Sequence, residues 1–504
     1  MKLLSLNPTD HSSTICYFDG DILHYFKTER FEQVKHHTVL SKSSYEEYLK
    51  STFNVTLKDI DEICFVLFSE KNKHPLPIEW HDTKNSSLVD HHHAHSLSLK
   101  LLCDTPSDVS IIIDGRGGDN SWVVYKNDIV IDRGDFKENV SIGHGMEHMG
   151  RTLKITGMKL DVAGKLMGLQ SYGKIDYNFL EILKQYNEYN LGNYFEDEKG
   201  KAIPLNVIKG LFSFHEFQEY KNYNDDEINK SMLDWAATVH HRCGEIILNL
   251  FKKHANPDDI IHYSGGVAQN VIWNTLLKKH FKNLVIPPHS GDEGISLGGM
   301  EFLRQKHNLP KMQLENFPYS QTDEAPKMII EEDTIKKAAT FLSEGKIVAW
   351  YQGHGEVGPR ALGNRSILMD PRIRGGRDII NKIKNREYYR PFGASVLSEF
   401  KKEYFDLDFE NPYMLYVGVT QKPNLESITH VDGTCRAQTV SEPGHFKSLL
   451  EEFYKITGCP VLLNTSLNIS GKPIAGHIQN AIDEFNNSDI DVLVVGNQIY
   501  QKTN

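Results

Sequence analysis

The stretch Val109-Ser110-Ile111-Ile112-Ile113-Asp114-Gly115-Arg116-Gly117-Gly118-Asp119-Asn120 decides how the rest of the chain is read. An apolar run of strand length ends on a carboxylate, and a loop of Gly and Asp follows. Beyond it, Ser121–Tyr125 and Ile129–Ile131 flank a turn at Asn127-Asp128. The same order stands roughly a hundred residues earlier. There Lys2–Leu6 reads as a strand and Pro8–Ser13 as a loop, while Thr14–Phe18 and Ile22–Phe26 flank Asp19-Gly20, a two-residue hairpin signal. Strand, polar loop and hairpin, twice over, predict a duplicated α/β architecture.

Two such units resemble the ribonuclease-H-like halves of the actin and sugar-kinase ATPases, in which strand-end loops face each other across a nucleotide cleft. Between them, Asp90-His91-His92-His93-Ala94-His95-Ser96 opens a helix, as Ala94, Leu97 and Leu101 at helical spacing indicate. His91 and His95 then stand one turn apart on one face, a spacing that lets two imidazoles hold one divalent metal. Asp114, at a strand end, is well placed to complete a mixed His/carboxylate set. A solvated polar helix start is an equal reading of the histidines, because the pair is a weak motif without a third ligand. Asp292, in Ser290-Gly291-Asp292-Glu293-Gly294, either caps the helix that follows or supplies a fourth ligand from far along the chain.

At 504 residues the chain exceeds what one core usually supports, so two or three domains are expected. Hydrophobic residues at 39% and charged residues at 24% describe an ordinary soluble protein. A net charge of −11 argues against a broad nucleic-acid surface. Cys16, Cys64, Cys103, Cys243, Cys435 and Cys459 form no C-x-x-C pair and read as reduced, mostly buried thiols. The opening MKLLSLNPTD turns polar too soon for a signal peptide, and no apolar run reaches membrane-spanning length. A soluble cytoplasmic protein is expected.

Further along, Ser44–Thr52 reads as a helix, Glu62–Leu67 as a strand and Asn139–Arg151 as a loop. The glycines of Gly164–Gly173 permit close backbone approach to a ligand, or simply a turn. Residues 174–224 look like a variable insert. Asp225 then caps a helix whose buried stripe is Ile228, Met232, Trp235, Val239, Cys243, Ile246 and Leu250, with His240 and His241 as packing or surface residues. Ile260–Tyr263 runs into Ser264–Asn270, whose Gly265-Gly266 turn stands where backbone amides meet phosphate. Residues 308–334 read as a linker.

Beyond the linker come a helix at Ile335–Ser343, a strand at Ile347–Gln352 and the loop Gly358-Pro359-Arg360-Ala361-Leu362-Gly363-Asn364-Arg365-Ser366. Lys384, Arg386 and Arg390 gather around Tyr388 and Tyr389, and Arg436 follows in His430–Arg436. Guanidinium forks match phosphate and carboxylate, so these cations are expected to hold an anion; bridges to the protein's own carboxylates are the alternative. Helices at Phe446–Thr457 and Ile478–Asn486, alternating with strands at Pro460–Asn464 and Val492–Val495, complete a second α/β domain.

Taken in order, these motifs resemble the O-carbamoyltransferases of antibiotic and nodulation-factor biosynthesis, the NodU/CmcH/TobZ family, over nearly the whole chain. The resemblance is carried by His91-x-x-x-His95, Asp114-Gly115-x-Gly117, Lys165-x-Met167-Gly168-Leu169-x-x-Tyr172-Gly173, Gly265-Gly266-Val267-Ala268-x-Asn270 and Gly291-Asp292-x-Gly294. In the second domain the matches are Gly358–Leu368, Lys384-x-Arg386-Glu387, Arg390-Pro391-Phe392, His430-Val431-Asp432-Gly433-Thr434 and Asn464-Thr465-Ser466.

The resemblance implies a transfer domain over residues 1–310 and a YrdC-like α/β domain over 335–504 that makes carbamoyl adenylate from carbamoyl phosphate and ATP. It implies a divalent metal at His91, His95, Asp114 and Asp292, iron or a similar ion, with magnesium entering with ATP as an alternative. Nucleotide contacts are implied at Gly115, Gly117, Lys165, Gly168, Gly265, Gly266 and Asn270. Carbamoyl phosphate and the adenylate are implied at Arg360, Arg365, Lys384, Arg386, Arg390, Arg436, Asn464 and Ser466. Lys35 fits the family's pattern, but the usual first-loop His-Asp is Asp10-His11 here, so the catalytic role falls to either His11 or Asp10. Lys472 stands where the family usually has an acid.

The expected acceptor is a hydroxyl on a small metabolite or sugar, and a homodimer is compatible with this reading. Rival readings are carbamoylation of a hydroxymethylated base in phage DNA, a fused tRNA threonylcarbamoyl synthase and transferase, and an idle nucleotide or carbamoyl-phosphate sensor.

Overall fold

The sequence encodes its first sheet through a fully apolar strand and a tight turn. Strand β1 (Leu3–Leu6) is buried at every position, and β2 (Thr14–Phe18) and β3 (Leu23–Lys27) form the expected hairpin. Asp19 closes it by accepting from the amides of Asp21 and Ile22 on Oδ1, each at 2.8 Å. Strands β4 (Glu62–Leu67) and β5 (Ser86–Asp90) add to the other side, giving the order β3-β2-β1-β4-β5. The hairpin strands run antiparallel, whereas β1–β4 and β4–β5 are parallel.

The same topology recurs. Strands β6 (Val109–Gly117), β7 (Asn120–Lys126), β8 (Ile129–Asp135), β9 (Ile261–Ser264) and β10 (Leu284–Val285) form a sheet of order β10-β9-β6-β7-β8. Its pairing senses match those of the first sheet strand for strand. The β7–β8 turn places Asn127 and Asp128 at φ 51° and 61°, the left-handed pair that a two-residue hairpin requires.

In this computed structural model, residues 1–8, 11–67, 76, 78–102, 105–135, 141–184, 230–325, 329–469 and 471–502 are described. The chain forms two compact units, one of residues 1–104, 287–385 and 391–504, the other of residues 105–286 and 386–390. Expectations placed on Asp10, Cys103, Asp225, Ile228 and most of the 174–224 insert lie outside the described residues.

The first unit contains the first sheet and a mixed sheet of order β14-β15-β13-β16-β12-β11-β17-β18. Its strands are β11 (Val348–Tyr351), β12 (Arg365–Met369), β13 (Gly393–Leu397), β14 (Gly418–Val419), β15 (Thr434–Val440), β16 (Val461–Ser466), β17 (Val492–Val495) and β18 (Gln498–Gln501). Helices Glu332–Ser343 and His445–Thr457 pack together, and their apolar residues join those of the strands in one core. The expected linker is not a free tether over its first part. Met312 and Leu314 are buried in the core of the first sheet, and Leu314 and Gln321 bridge to Leu23 and Tyr25 of β3.

In the second unit, helix Lys230–His254 buries Met232, Trp235, Val239, Cys243, Ile246 and Leu250 as its periodicity predicts. The segment expected as a loop, 139–151, is instead mostly the helix Ile142–Thr152. Ser141 caps it by accepting from the His144 amide, and Gly150 leaves room for Val162. The five described cysteines are buried free thiols. No helix among the described residues is long and apolar enough to cross a membrane.

Candidate functional site

Helix His91–Leu102 starts where β5 ends. Asp90 Oδ1 accepts from the amides of His92 (2.9 Å) and His93 (3.2 Å), which sets the first turn and directs His91 and His95 from one face. Both histidines are fully buried, with ring centroids 4.8 Å apart. Asp292, in the short turn before helix Ile295–Lys306, places Oδ1 at 3.5 Å from His91 Nε2 and 3.3 Å from His95 Nε2. His11 Nδ1 lies 3.5 Å from the other oxygen of the same carboxylate.

Two glycines allow this meeting. A Cβ on Gly298 would overlap the Ala94 carbonyl, and one on Gly299 would overlap Ser5 Oγ. Helix Ile295–Lys306 therefore lies directly on both helix His91–Leu102 and β1, and Asp292 is delivered to the histidines. His91, His95 and Asp292 each offer a ligand atom within 4.8 Å of the others, a nitrogen-and-carboxylate set suited to a borderline divalent ion. Burial pushes the pKa of nearby His289 down to about 3, so it adds no charge there.

Asp114 belongs to the second unit and lies within β6, which runs on to Gly117 rather than ending at the carboxylate, where the β6–β7 register shifts between Ile113 and Gly117. Its Oδ1 accepts from the Gly115 amide at 2.5 Å, and its carbonyl accepts from Ser141 Oγ at 2.9 Å. Glycines crowd this strand end. Gly265, at φ 96°, has no room for a side chain against the Ile113 carbonyl, and a Cβ on Gly266 would lie 3.0 Å from Asp114 Oδ1. Gly143 similarly packs on Gly115, with 2.7 Å from a Cβ to the Gly115 Cα. Gly117 ends the strand opposite Asn120.

Other residues expected at a nucleotide have structural work. Asn270 Oδ1 caps helix Val271–Lys278 by accepting from Ile272 N and Trp273 N, and its Nδ2 donates to His240 Nε2 at 3.0 Å. Lys165 Nζ donates to Glu387 Oε1 (2.5 Å) and to the Thr156 carbonyl (2.7 Å). Burial acts to raise the Glu387 pKa, but Lys165 and Arg390 outweigh it and hold the carboxyl below its ordinary value. Gly168 sits inside helix Lys159–Leu169, and Gly173 packs against the Leu233 carbonyl.

The cations divide by role. Arg365 is fully buried over the Tyr351 ring at 3.6 Å. Its Nη1 donates to the carbonyls of Gln352 (2.6 Å) and Asn364, and its Nη2 to Asp323 (3.1 Å) and to the carbonyls of Glu324 and Gly353. Lys384 Nζ donates to the carbonyls of Ser466 (2.6 Å) and Asn468 (2.8 Å) and to Asn468 Oδ1. Both groups hold loops of their own chain, Arg365 through a carboxylate and carbonyls and Lys384 through carbonyl and amide oxygens. Arg360 is half-buried in the loop after Gly358, and Arg436 pairs with Gly393 across β13–β15. Asn464 pairs with Gly393 from the other side, and its Nδ2 donates to Ser395 Oγ at 2.9 Å. Arg386 and Arg390 belong to the second unit, where Arg390 Nη1 lies 3.7 Å from Glu387.

Sequence reasoning missed Glu356. Fully buried, its Oε1 accepts from the amides of Leu362 (2.8 Å), Asn364 (3.0 Å) and Arg365 (3.3 Å), so the Gly-rich loop wraps a carboxylate of its own chain. The available signal is an acid two residues ahead of Gly358-Pro359. Lys35 lies half-buried in the loop after helix Thr28–Glu32.

A family model described as "Carbamoyltransferase N-terminus" matches residues 76–300, and one described as "Carbamoyltransferase C-terminus" matches residues 339–502. The chain belongs to the carbamoyltransferase family. It is a transferase enzyme, as the sequence resemblance implies. The 3'-hydroxymethylcephem-O-carbamoyltransferase of Amycolatopsis lactamdurans is 32% identical over 70% of this chain and 67% of its own. The nodulation protein NolNO of Sinorhizobium fredii is 28% identical over 96% of this chain and 78% of its own. Component A of (R)-2-hydroxyglutaryl-CoA dehydratase from Acidaminococcus fermentans aligns with 61% of this chain and 99% of its own at 13% identity, with a TM-score of 0.39, too slight a likeness to bear on the reading.

Proposed function

We propose that this carbamoyltransferase is ATP-dependent, forms carbamoyl adenylate from carbamoyl phosphate, water and ATP with release of phosphate and pyrophosphate, and transfers the carbamoyl group to a hydroxyl of a small metabolite or sugar. The observation that carries the reading is the convergence of His91 Nε2 and His95 Nε2 on one oxygen of Asp292, inside a chain of this family. A relative named for a hydroxymethylcephem acceptor supports a small hydroxylated substrate.

In this reading residues 1–310 are the transfer domain, with ribonuclease-H-like halves, and residues 335–504 are the YrdC-like, adenylate-forming domain. His91, His95 and Asp292 hold a divalent ion, iron or a similar metal, and the family resemblance adds Asp114 as a fourth ligand. When bound, such an ion supplies Lewis-acid polarisation of phosphate and acceptor oxygens. Amides at Gly117, Gly265 and Gly266 receive nucleotide phosphates, while the Gly115 amide holds the Asp114 carboxylate. Arg360, Arg386, Arg390 and Arg436 receive the carbamoyl phosphate, while Arg365 and Lys384 keep the loops in place. The acceptor oxygen bonds to the carbamoyl carbon, the carbon–oxygen bond to AMP breaks, and the hydroxyl proton passes to His11 Nδ1, with Asp10 as the rival base and Lys35 as a further catalytic candidate.

Incubating the protein with ATP and carbamoyl phosphate tests the reading. Pyrophosphate release that requires carbamoyl phosphate is expected. A requirement for threonine and bicarbonate would point to the threonylcarbamoyl chemistry instead, and no release under either condition would overturn the proposal.

A further inference from the structure

A cluster of charged side chains lies buried away from the metal ligands, on the short helix Thr28–Glu32 and the end of β3. Lys27, Glu29 and Arg30 are 3%, 7% and 2% exposed. Lys27 Nζ lies 2.9 Å from Glu29 Oε1, with Arg30 Nε at 3.8 Å from the same oxygen. Burial acts to raise the Glu29 pKa, but Lys27 and Arg30 hold the carboxyl down at about 2. Two cations on one buried carboxylate are a poor way to gain stability, because desolvation opposes the attraction and an apolar replacement often does as well. Such a cluster is better explained by the geometry it fixes.

That geometry runs in two directions. On one side, Glu29 Oε2 accepts from the His36 amide at 2.9 Å. His36 in turn meets Ser12, through the Ser12 amide to its carbonyl (3.4 Å) and through Ser12 Oγ to its Nδ1 (3.3 Å). Ser12 follows His11, whose Nδ1 faces Asp292. On the other side, Arg30 Nη2 donates to the Gly358 carbonyl at 3.0 Å, two residues before Arg360. The docking is close. Gly476 has no room for a side chain against the Arg30 carbonyl, Gln33 Nε2 donates to the carbonyls of Arg30 (2.8 Å) and Ile474 (3.3 Å), and the Phe31 and His477 rings meet edge-on at 5.0 Å.

We infer that Glu29 and Arg30 are positioning residues that tie the His11–His36 loop pair to the Gly358–Arg360 loop, so that an anion held at Arg360 is sensed at the His11 end of the first sheet. The inference rests on the reading of Arg360 as an anion ligand. Arginine suits the task because its planar fork reaches a carboxylate and a carbonyl together, whereas a lysine ammonium is a single point of charge on a flexible stem.

Hydrogen exchange on the full-length protein, with and without carbamoyl phosphate, tests this. In the wild type, carbamoyl phosphate is expected to slow exchange of amides 358–365 and also of amides 36–39. In Arg30→Lys the slowing at 358–365 remains, while that at 36–39 falls about tenfold, the scale of an ordinary coupling between sites. A purely structural role would change basal exchange but leave the ligand-induced difference intact. Glu29→Gln, which keeps the acceptor for the His36 amide, should show the same loss and serves if Arg30→Lys does not fold. Slowing at 358–365 alone in the wild type, or slowing at 36–39 that persists in both variants, overturns the inference. Absence of slowing at both places in the wild type overturns the anion reading and this inference with it.

Discussion

Gly298 and Ala94 touch with no space for a side chain between them, since a Cβ on Gly298 would enter the Ala94 carbonyl. Ala94 sits one residue before His95, and Gly298 lies six residues beyond Asp292 on the following helix. The approach of two helix backbones thus sets the distance between His95 and Asp292, which come from the 1–104 and 287–385 segments of the first unit.

Gly298→Val should therefore cost about 1–3 kcal/mol, the usual range for overpacking, and should lower bound metal more than the stability loss alone accounts for. Denaturant unfolding of the metal-free protein and elemental analysis of the loaded protein measure the two effects separately. Full metal content in the valine variant would mean that the helices can part without disturbing Asp292.

His95→Ala removes a proposed metal ligand, a fully buried side chain. It should strip the ion and abolish carbamoyl transfer while the fold survives. Pyrophosphate release from ATP and carbamoyl phosphate should suffer less than transfer. Equal loss of both half-reactions, or an unchanged metal content, would sink the two-site scheme.

Arg365 and Arg390 should part company under mutation. Arg365→Gln leaves Asp323 and several buried carbonyls without their guanidinium, at a cost on the order of 3–5 kcal/mol, so the unfolding midpoint should fall sharply. Arg390, a third exposed and 3.7 Å from Glu387, can be changed to Ala with little loss of stability, and that variant should stop adenylate formation. Chemical denaturation beside a pyrophosphate assay distinguishes them. A stable Arg365→Gln would contradict the role its hydrogen bonds describe.

The contrast shows where sequence is legible. The His91–His95 spacing could be read because a helix has one period, and the paired hairpins because Asp19-Gly20 and Asn127-Asp128 are local turn signals. Arg365 could not be assigned this way, since a guanidinium directed at an anion and one directed at its own chain's carbonyls have the same local sequence. The helix Ile142–Thr152 was hidden for a different reason: Gly143, Gly145 and Gly150 lower its intrinsic propensity, and tertiary packing of Gly143 on Gly115 and Gly150 on Val162 overrides that. The placement of Asp292 beside the histidines was hidden because the contact that brings it there, Gly298 on Ala94, joins residues distant in sequence.

His240 predicts a pH dependence in the second unit. Burial depresses its pKa from 6.5 to about 3, and the neutral ring stacks on Trp273 and accepts from Asn270. The folded pKa lies below the unfolded one, so the unfolded chain binds the extra proton. The stabilisation is complete above about pH 6.5 and is lost as pH falls toward 3, by about 1.4 kcal/mol per pH unit. His240→Gln retains an acceptor for Asn270 but has no proton to gain. Between pH 6.5 and 5 it should lose about 2 kcal/mol less stability than the wild type in urea denaturation. Parallel pH profiles would show that His240 titrates normally.

The acceptor is the last prediction and the one that sequence supports least. A net charge of −11 disfavours a long duplex, because affinity for DNA rests on cations neutralising phosphates. Arg365 and Lys384 reinforce this, since their donors already hold protein carbonyls. A small hydroxylated metabolite or sugar is therefore expected over a hydroxymethylated base in DNA. Offering both acceptor classes with ATP and carbamoyl phosphate, and searching by mass spectrometry for the gain of one CONH group, decides between them. The small hydroxyl compounds should be modified, and the reaction should be insensitive to salt over the range that weakens DNA binding. Modification confined to DNA, lost steeply as salt rises, would overturn the choice of acceptor while leaving carbamoyl transfer itself in place.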